Sequence, residues 1–200
     1  MKLDETMKRQ SIAFIVISLV CVALAAPLGL SGTVKTNLQN TANLRVGAFL
    51  TDRSGNPSRE VASVAVSSNA FSLSIPDAAP TGATLNTVVA DNLDWPGLVG
   101  KVTVTGQARI VRVVLRAYTD TDRSGSSGAG DNNLETVVTR GRGSLVLLYS
   151  DARFRVQGDK GFDATLEQGW NLVAIELGKS IEVKRVNSLD GVQLEAFGKY

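Results

Sequence analysis

Phe71-Ser72-Leu73-Ser74-Ile75, closed by Pro76, alternates apolar and polar side chains without a break. Successive side chains of an extended chain point to opposite faces, so this run describes a strand with one buried and one wetted face. Proline, which has no N–H to give to a ladder, ends it. The same period of two recurs at Leu44, Val46, Ala48 and Leu50; at Ala62, Val64 and Val66; and at Val111, Val113, Leu115 and Ala117. It returns at Phe162, Ala164 and Leu166, and at Val173, Ile175 and Leu177. Turn-forming clusters separate these runs, among them Ser54-Gly55-Asn56-Pro57, Gly158-Asp159-Lys160-Gly161 and Asp190-Gly191, at spacings natural for hairpins. No stretch after Gly32 holds a period of 3.6. The chain reads as all-β, and short sequential strands joined by tight turns predict an antiparallel β-sandwich.

The N-terminus has a different character. Lys2, Lys8 and Arg9 precede an apolar or small run over residues 12–26, and Ala23 and Ala25 are placed for recognition by a signal peptidase. The pattern predicts an export signal helix over residues 1–25, cleaved after Ala25, and a β-sandwich domain over 26–200. Cleavage one residue later would leave Pro27 at the new N-terminus. Two alternatives stand beside this. Cys21 could be a lipid-attachment site, against which bulky Val20 counts, or residues 12–30 could stay as an anchor, barely long enough for a span of about 20 residues and interrupted by Pro27.

Loss of residues 1–25 removes Met1, Met7 and Cys21, which are all the sulfur the chain has, and there is no histidine. That composition excludes a disulfide framework, a thiolate nucleophile, a Ser-His-Asp triad and a zinc or copper site built on imidazole or thiolate. The formal net charge is +2, one unit of which leaves with the signal. So small a charge gives no reason to expect nucleic acid or an anionic membrane as partner.

Gly32-Thr33-Val34, the strand Val46-Gly47-Ala48-Phe49, Asp52-Arg53-Ser54-Gly55 and Phe71-Ser72-Leu73-Ser74-Ile75-Pro76 follow one another in a progression that resembles the start of carboxypeptidase-regulatory and transthyretin-like domains. The resemblance covers about Gly32 to Pro76. It implies an immunoglobulin-like or transthyretin-like sandwich that serves as a structural or adhesive part of a secreted bacterial protein. Within the chain, Thr51-Asp52-Arg53-Ser54-Gly55 recurs letter for letter as Thr121-Asp122-Arg123-Ser124-Gly125, and Gly32-Thr33-Val34 is echoed by Gly100-Lys101-Val102. A duplicated half and the chance repetition of turn chemistry both account for the echo. Residues 77–95, rich in Pro, Ala, Thr and Asn, mark a possible seam between two halves.

The most specific chemical signal is Asp120-Thr121-Asp122-Arg123-Ser124-Gly125-Ser126-Ser127-Gly128-Ala129-Gly130-Asp131. Oxygen-bearing side chains at positions one, three, five and twelve, with glycine at six, follow the spacing of an EF-hand calcium loop. A hard dication needs several oxygens from one short segment, and the sharp turn after the third needs positive φ, which Gly125 tolerates. In that pattern Asp120, Asp122 and Ser124 give side-chain oxygens, Ser126 a backbone carbonyl, Gly128 a water-bridged position and Asp131 the closing carboxylate. Ser124 in place of a carboxylate, and Asp131 in place of a longer glutamate, predict a weak calcium (Ca2+) site. A solvated hairpin whose aspartates cap their own turns is the alternative.

Arg140-Gly141-Arg142-Gly143 between two apolar runs reads as a tight turn, with phosphate or RNA contact the other reading. Trp95 and Trp170, with Tyr118 and Tyr149, could build a sugar-stacking platform or fill the core. The expectation from sequence is an exported, non-enzymatic structural or adhesive protein of the cell envelope, periplasmic or on the outer surface. It would have a calcium-stabilised loop, other envelope proteins or surface glycans as partners, and a possible place in a surface assembly. A carbohydrate- or cell-wall-binding module is the alternative, and a carboxylate-dependent polysaccharide enzyme is a third reading that needs two acids facing each other across a cleft.

Overall fold

The structure is a computed structural model describing residues 28–186 and 190–198; the expected signal helix and its cleavage point lie outside the described residues. The strands, in chain order, are β1 Leu28–Thr36, β2 Leu44–Thr51, β3 Pro57–Ala65, β4 Ala70–Ile75, β5 Asn86–Thr87, β6 Thr103–Thr105, β7 Arg109–Thr119 and β8 Asn132–Asn133. They continue as β9 Glu135–Arg140, β10 Gly143–Ser150, β11 Phe154–Gln157, β12 Asp163–Leu166, β13 Gly169–Leu177, β14 Ile181–Arg185 and β15 Val192–Phe197. Two 3-10 turns, Ala90–Asn92 and Asp159–Gly161, are the helical elements among the described residues. The chain is all-β.

The expected pair of facing sheets is replaced by one large sheet, ordered β3-β2-β7-β10-β9-β15-β1-β4, that curls until it is nearly closed like a barrel. Two pairings shape it. The first and last described strands, β1 and β15, pair in parallel inside the sheet, Gly32 opposite Val192 through Thr36 opposite Ala196. The two edge strands are then brought together by a hairpin: Ser67 and Ala70 exchange backbone hydrogen bonds of 2.9 and 2.8 Å around Ser68 and Asn69, both at positive φ. Twin left-handed residues are the signature of a two-residue hairpin turn whose twist matches that of its strands. Past Ser67 and Ala70, β3 turns to β2 and β4 to β1.

Apolar side chains fill the curl. On β4, Phe71, Leu73 and Ile75 are buried while Ala70, Ser72 and Ser74 face water, as the alternation predicts. Leu30, Val46, Ala48, Val113, Ala117, Leu172 and Leu194 close the same cluster. On β4 the polar residues thus face outward. None of the described helices is long and apolar enough to cross a membrane.

A second core lies outside the first. β10 and β13 send Leu147, Leu172 and Ala174 inward but Val146, Leu148, Val173 and Ile175 outward, where a three-stranded sheet, β12-β11-β6, covers them with Phe154, Val156, Ala164 and Leu166. Residues 77–95 pass from one core to the other, with Ala83 and Leu85 against the first and Val88 and Trp95 in the second.

Two ion pairs flank this outer layer. Asp151 accepts from the Arg109 backbone N–H and Nε at 2.7 Å each, and Asp163 receives both Nε and Nη2 of Arg155. The Arg109 amide chiefly, and the Arg155 guanidinium, hold the two carboxyls below their ordinary 3.8. A depressed folded value means that the stabilising contribution is complete above 3.8 and is lost as pH falls through the folded value. Urea midpoints should therefore be flat from neutral pH to about 4 and fall below it, and Asp163→Asn together with Asp151→Asn should flatten part of that fall.

Candidate metal centre

The acidic loop leaves the end of β7, where Thr119 lies opposite Leu44, and returns as β8, which pairs back onto Tyr118 and Thr119. The Asp120 amide donates to the Asn43 carbonyl at 2.9 Å, fixing the start of the loop to the barrel rim. Asp120 is 4% exposed. Its two carboxylate oxygens accept from the amides of Ser124 and Gly125, both at 3.0 Å, and Asp122 Oδ1 also accepts from Ser124 at 3.0 Å. These bonds wrap the chain around the carboxylates, with Arg123 and Gly125 at positive φ. Asp131 closes the ring by accepting from Thr121 and Gly128 at 2.8 and 2.7 Å.

The outcome is a convergence of three carboxylates. One oxygen each from Asp120, Asp122 and Asp131 lies within 4.8 Å of the others, and oxygens bound to a single calcium ion at 2.3–2.6 Å are about 5 Å apart at most. Asp120 is buried, Asp131 half-buried and Asp122 exposed. A carboxylate oxygen that accepts one amide still has a free lone pair, so these bonds orient the ligands without exhausting them. Ser124 and Ser126 behave differently: the Ser124 hydroxyl donates to the Ser126 carbonyl at 2.8 Å, so those two oxygens face each other. The Ser124 amide and hydroxyl hold the Asp122 carboxyl below its ordinary value, keeping it ionised at neutral pH.

A group of residues that the sequence does not single out ties the loop to the barrel wall. Glu60 on β3 accepts from the Ser127 amide with one oxygen and from the Tyr118 hydroxyl, at 3.0 Å, with the other. Ser63 donates to the Gly125 carbonyl at 3.0 Å and accepts from Arg45 at 3.1 Å. Arg45 Nε stands 3.9 Å from Asp120 Oδ2 and offsets part of the acidic charge. Burial pushes the Tyr118 phenol up, so it remains a donor to Glu60. Nothing in the local sequence around Glu60 marks it, because its role comes from β3 lying beside β2 and β2 beside β7.

Comparison with known protein families, curated proteins and solved structures returned no match. The functional reading therefore rests on these side chains. The repeated Thr-Asp-Arg-Ser-Gly segments fold alike at their start, since Asp52 accepts from the Ser54 amide at 2.9 Å as Asp122 does from Ser124. Because β2 and β7 run antiparallel, the two turns lie at opposite ends of that strand pair. Arg140 and Gly143 form the hairpin closure of β9 and β10, with Gly141 at positive φ, the tight turn that the sequence implies. Trp95 is 4% exposed between Phe154 and Phe162, with ring centres 6.4 and 6.3 Å away. Trp170 packs edge-on against Tyr149 and donates to the Pro76 carbonyl at 2.9 Å. Trp95 therefore has no free face for stacking, while Trp170 is half-buried beside Tyr149.

Proposed function

We propose that this protein is an exported, non-enzymatic structural or adhesive component of the cell envelope, a curled β scaffold whose 120–131 loop is braced by calcium. The observation that supports the ion is the convergence of the Asp120, Asp122 and Asp131 carboxylates at the rim of the barrel. All-oxygen donors suit a hard cation. Calcium fits better than magnesium because three carboxylates from one flexible loop leave a loose, expandable shell, whereas magnesium demands a tight octahedron. Export rests on the pattern of residues 1–25, and a scaffold role on a core packed with aliphatic side chains in a chain without histidine.

Through Glu60, Ser63 and Arg45, anything that orders the loop also orders β2 and β3. With a dissociation constant of about 0.1 mM and about 1 mM calcium outside the cell, linkage adds about 1.4 kcal/mol of stability. For a domain of this size that is a rise of about 3–6 °C in unfolding midpoint. Thermal unfolding in calcium, in magnesium and in chelator should show this rise with calcium alone, and Asp122→Asn or Asp120→Ala should remove the difference between calcium and chelator. Superimposable curves in the three buffers would take the ion out of the reading.

A further inference from the structure

At the other end of the β2–β7 pair, away from the acidic loop, a groove of about 500 Å3 lies between the turn 51–55 and the segment 86–94. It exists because β7 changes partners there: the ladder with β2 ends at Leu50 opposite Val113, and the ladder with β5 begins at Asn86 opposite Ile110. Val111 turns into the barrel core, so Arg112 turns outward into the gap, and the Thr51 hydroxyl donates to its carbonyl at 3.4 Å. Ile110 and Val89 supply apolar wall.

The charges in this groove are unevenly satisfied. Asp52 is engaged by its own turn, accepting from the amides of Ser54 and Asn56 at 2.9 and 2.8 Å. Asp94 stands fully in water, with its Oδ2 4.0 Å from Arg112 Nη1, too far for a hydrogen bond. The Arg112 side chain is 31% exposed, and among the described residues its guanidinium makes no hydrogen bond. The Asn86 side-chain amide, on β5 in the same groove, has none either. A half-buried arginine side chain with unspent donors, sharing a groove with an unspent amide, is complementary to a planar oxyanion.

We propose that this groove is a binding site for a small ligand carrying a single carboxylate, held by the Arg112 fork and the Asn86 amide, with its body against Val89 and Ile110. A carboxylate is favoured over a phosphate because Asp52 and Asp94 balance Arg53 and Arg112 across the groove, leaving no surplus positive charge for a dianion. The volume falls within the range of small-molecule clefts and admits a disaccharide or a short peptide. Both an acidic sugar and a peptide terminus offer this chemistry.

The test is an NMR titration of the isotope-labelled purified protein, as the producing cell processes it, following Arg112 Nε–H and the Asn86 side-chain amide. The probes are glucuronate, trialanine and inorganic phosphate, each with and without chelator. Saturable shifts with glucuronate or with trialanine are expected, and which of the two binds identifies the source of the carboxylate. Arg112→Gln and, separately, Asn86→Ala should weaken that binding, the first by about tenfold or more, while Arg116→Gln on the same strand leaves it unchanged. Chelator should have no effect, which separates this site from the calcium reading. Absence of saturable shifts with either carboxylate, equal binding of phosphate, or unchanged affinity in Arg112→Gln and Asn86→Ala would overturn the proposal.

Discussion

Trp95→Ala is expected to lower stability by about 3–5 kcal/mol, the usual cost of emptying a buried tryptophan site. Total stability of a domain is on the order of 5–15 kcal/mol, so this one substitution should shift the urea midpoint far toward zero or abolish folding at elevated temperature. The reason is position. Trp95 fills the outer core between Phe154 and Phe162, and those rings hold the three-stranded sheet over Val146, Leu148, Val173 and Ile175. Truncation would leave a void with backbone-anchored strands on both sides, which cannot collapse to fill it. Trp95 Nε1 is buried without a hydrogen-bond partner among the described residues. Trp95→Phe should therefore cost much less than Trp95→Ala, since it keeps most of the ring volume and removes an unsatisfied donor. Urea unfolding of the two variants checks this. A Trp95→Ala protein of unchanged stability that had lost glycan binding would instead restore the stacking platform.

That outer core marks the limit of what the sequence discloses. Period-two runs such as Phe71, Leu73 and Ile75 locate strands with one wet face, and the structure buries those residues. β10 and β13 differ: Leu145-Val146-Leu147-Leu148 and Leu172-Val173-Ala174-Ile175 are continuous apolar runs, the mark of a strand buried on both faces. Reading Val173, Ile175 and Leu177 as one alternating face captures half of that strand and misses the layer above it. Leu177, the last of the three, is in fact 62% exposed. Curling was less accessible still, because it depends on which remote strands pair. The parallel pairing of β1 with β15 joins residues about 160 positions apart, and no hairpin spacing reports it. The candidate site divides in the same way. The turn-forming spacing of Asp120, Asp122 and Asp131 is local and was legible; Glu60, Ser63 and Arg45, which hold the loop to the wall, come from two other strands.

Gly32→Ala should be the second severe substitution, although Gly32 lies in a regular strand with no unusual backbone angle. A β-carbon there would stand 2.0 Å from the Val192 carbonyl oxygen, 2.7 Å from its carbon and 3.0 Å from Phe71 Cε1. The obstacle is backbone, so no side-chain rotation relieves it. Either β15 moves away from β1 or β1 twists off β4, and both neighbours send buried side chains into the core. Forcing an extra methyl into such a site costs about 1–3 kcal/mol and more where backbone must yield, so a loss of about 3 kcal/mol is expected, roughly 6–12 °C in midpoint. Gly29, three residues earlier on the same strand, is the internal control: a β-carbon there would meet nothing within 4 Å. Gly29→Ala should be neutral or slightly stabilising, by up to about 1 kcal/mol, through the reduced freedom of the unfolded chain. Hydrogen exchange gives the sharper readout, because the clash acts on one ladder. In Gly32→Ala the amides of β15 should lose protection before those of β2 and β7, whereas uniform loss of protection, or equal effects at the two glycines, would show that the β1–β15 pairing does not hold the curl together.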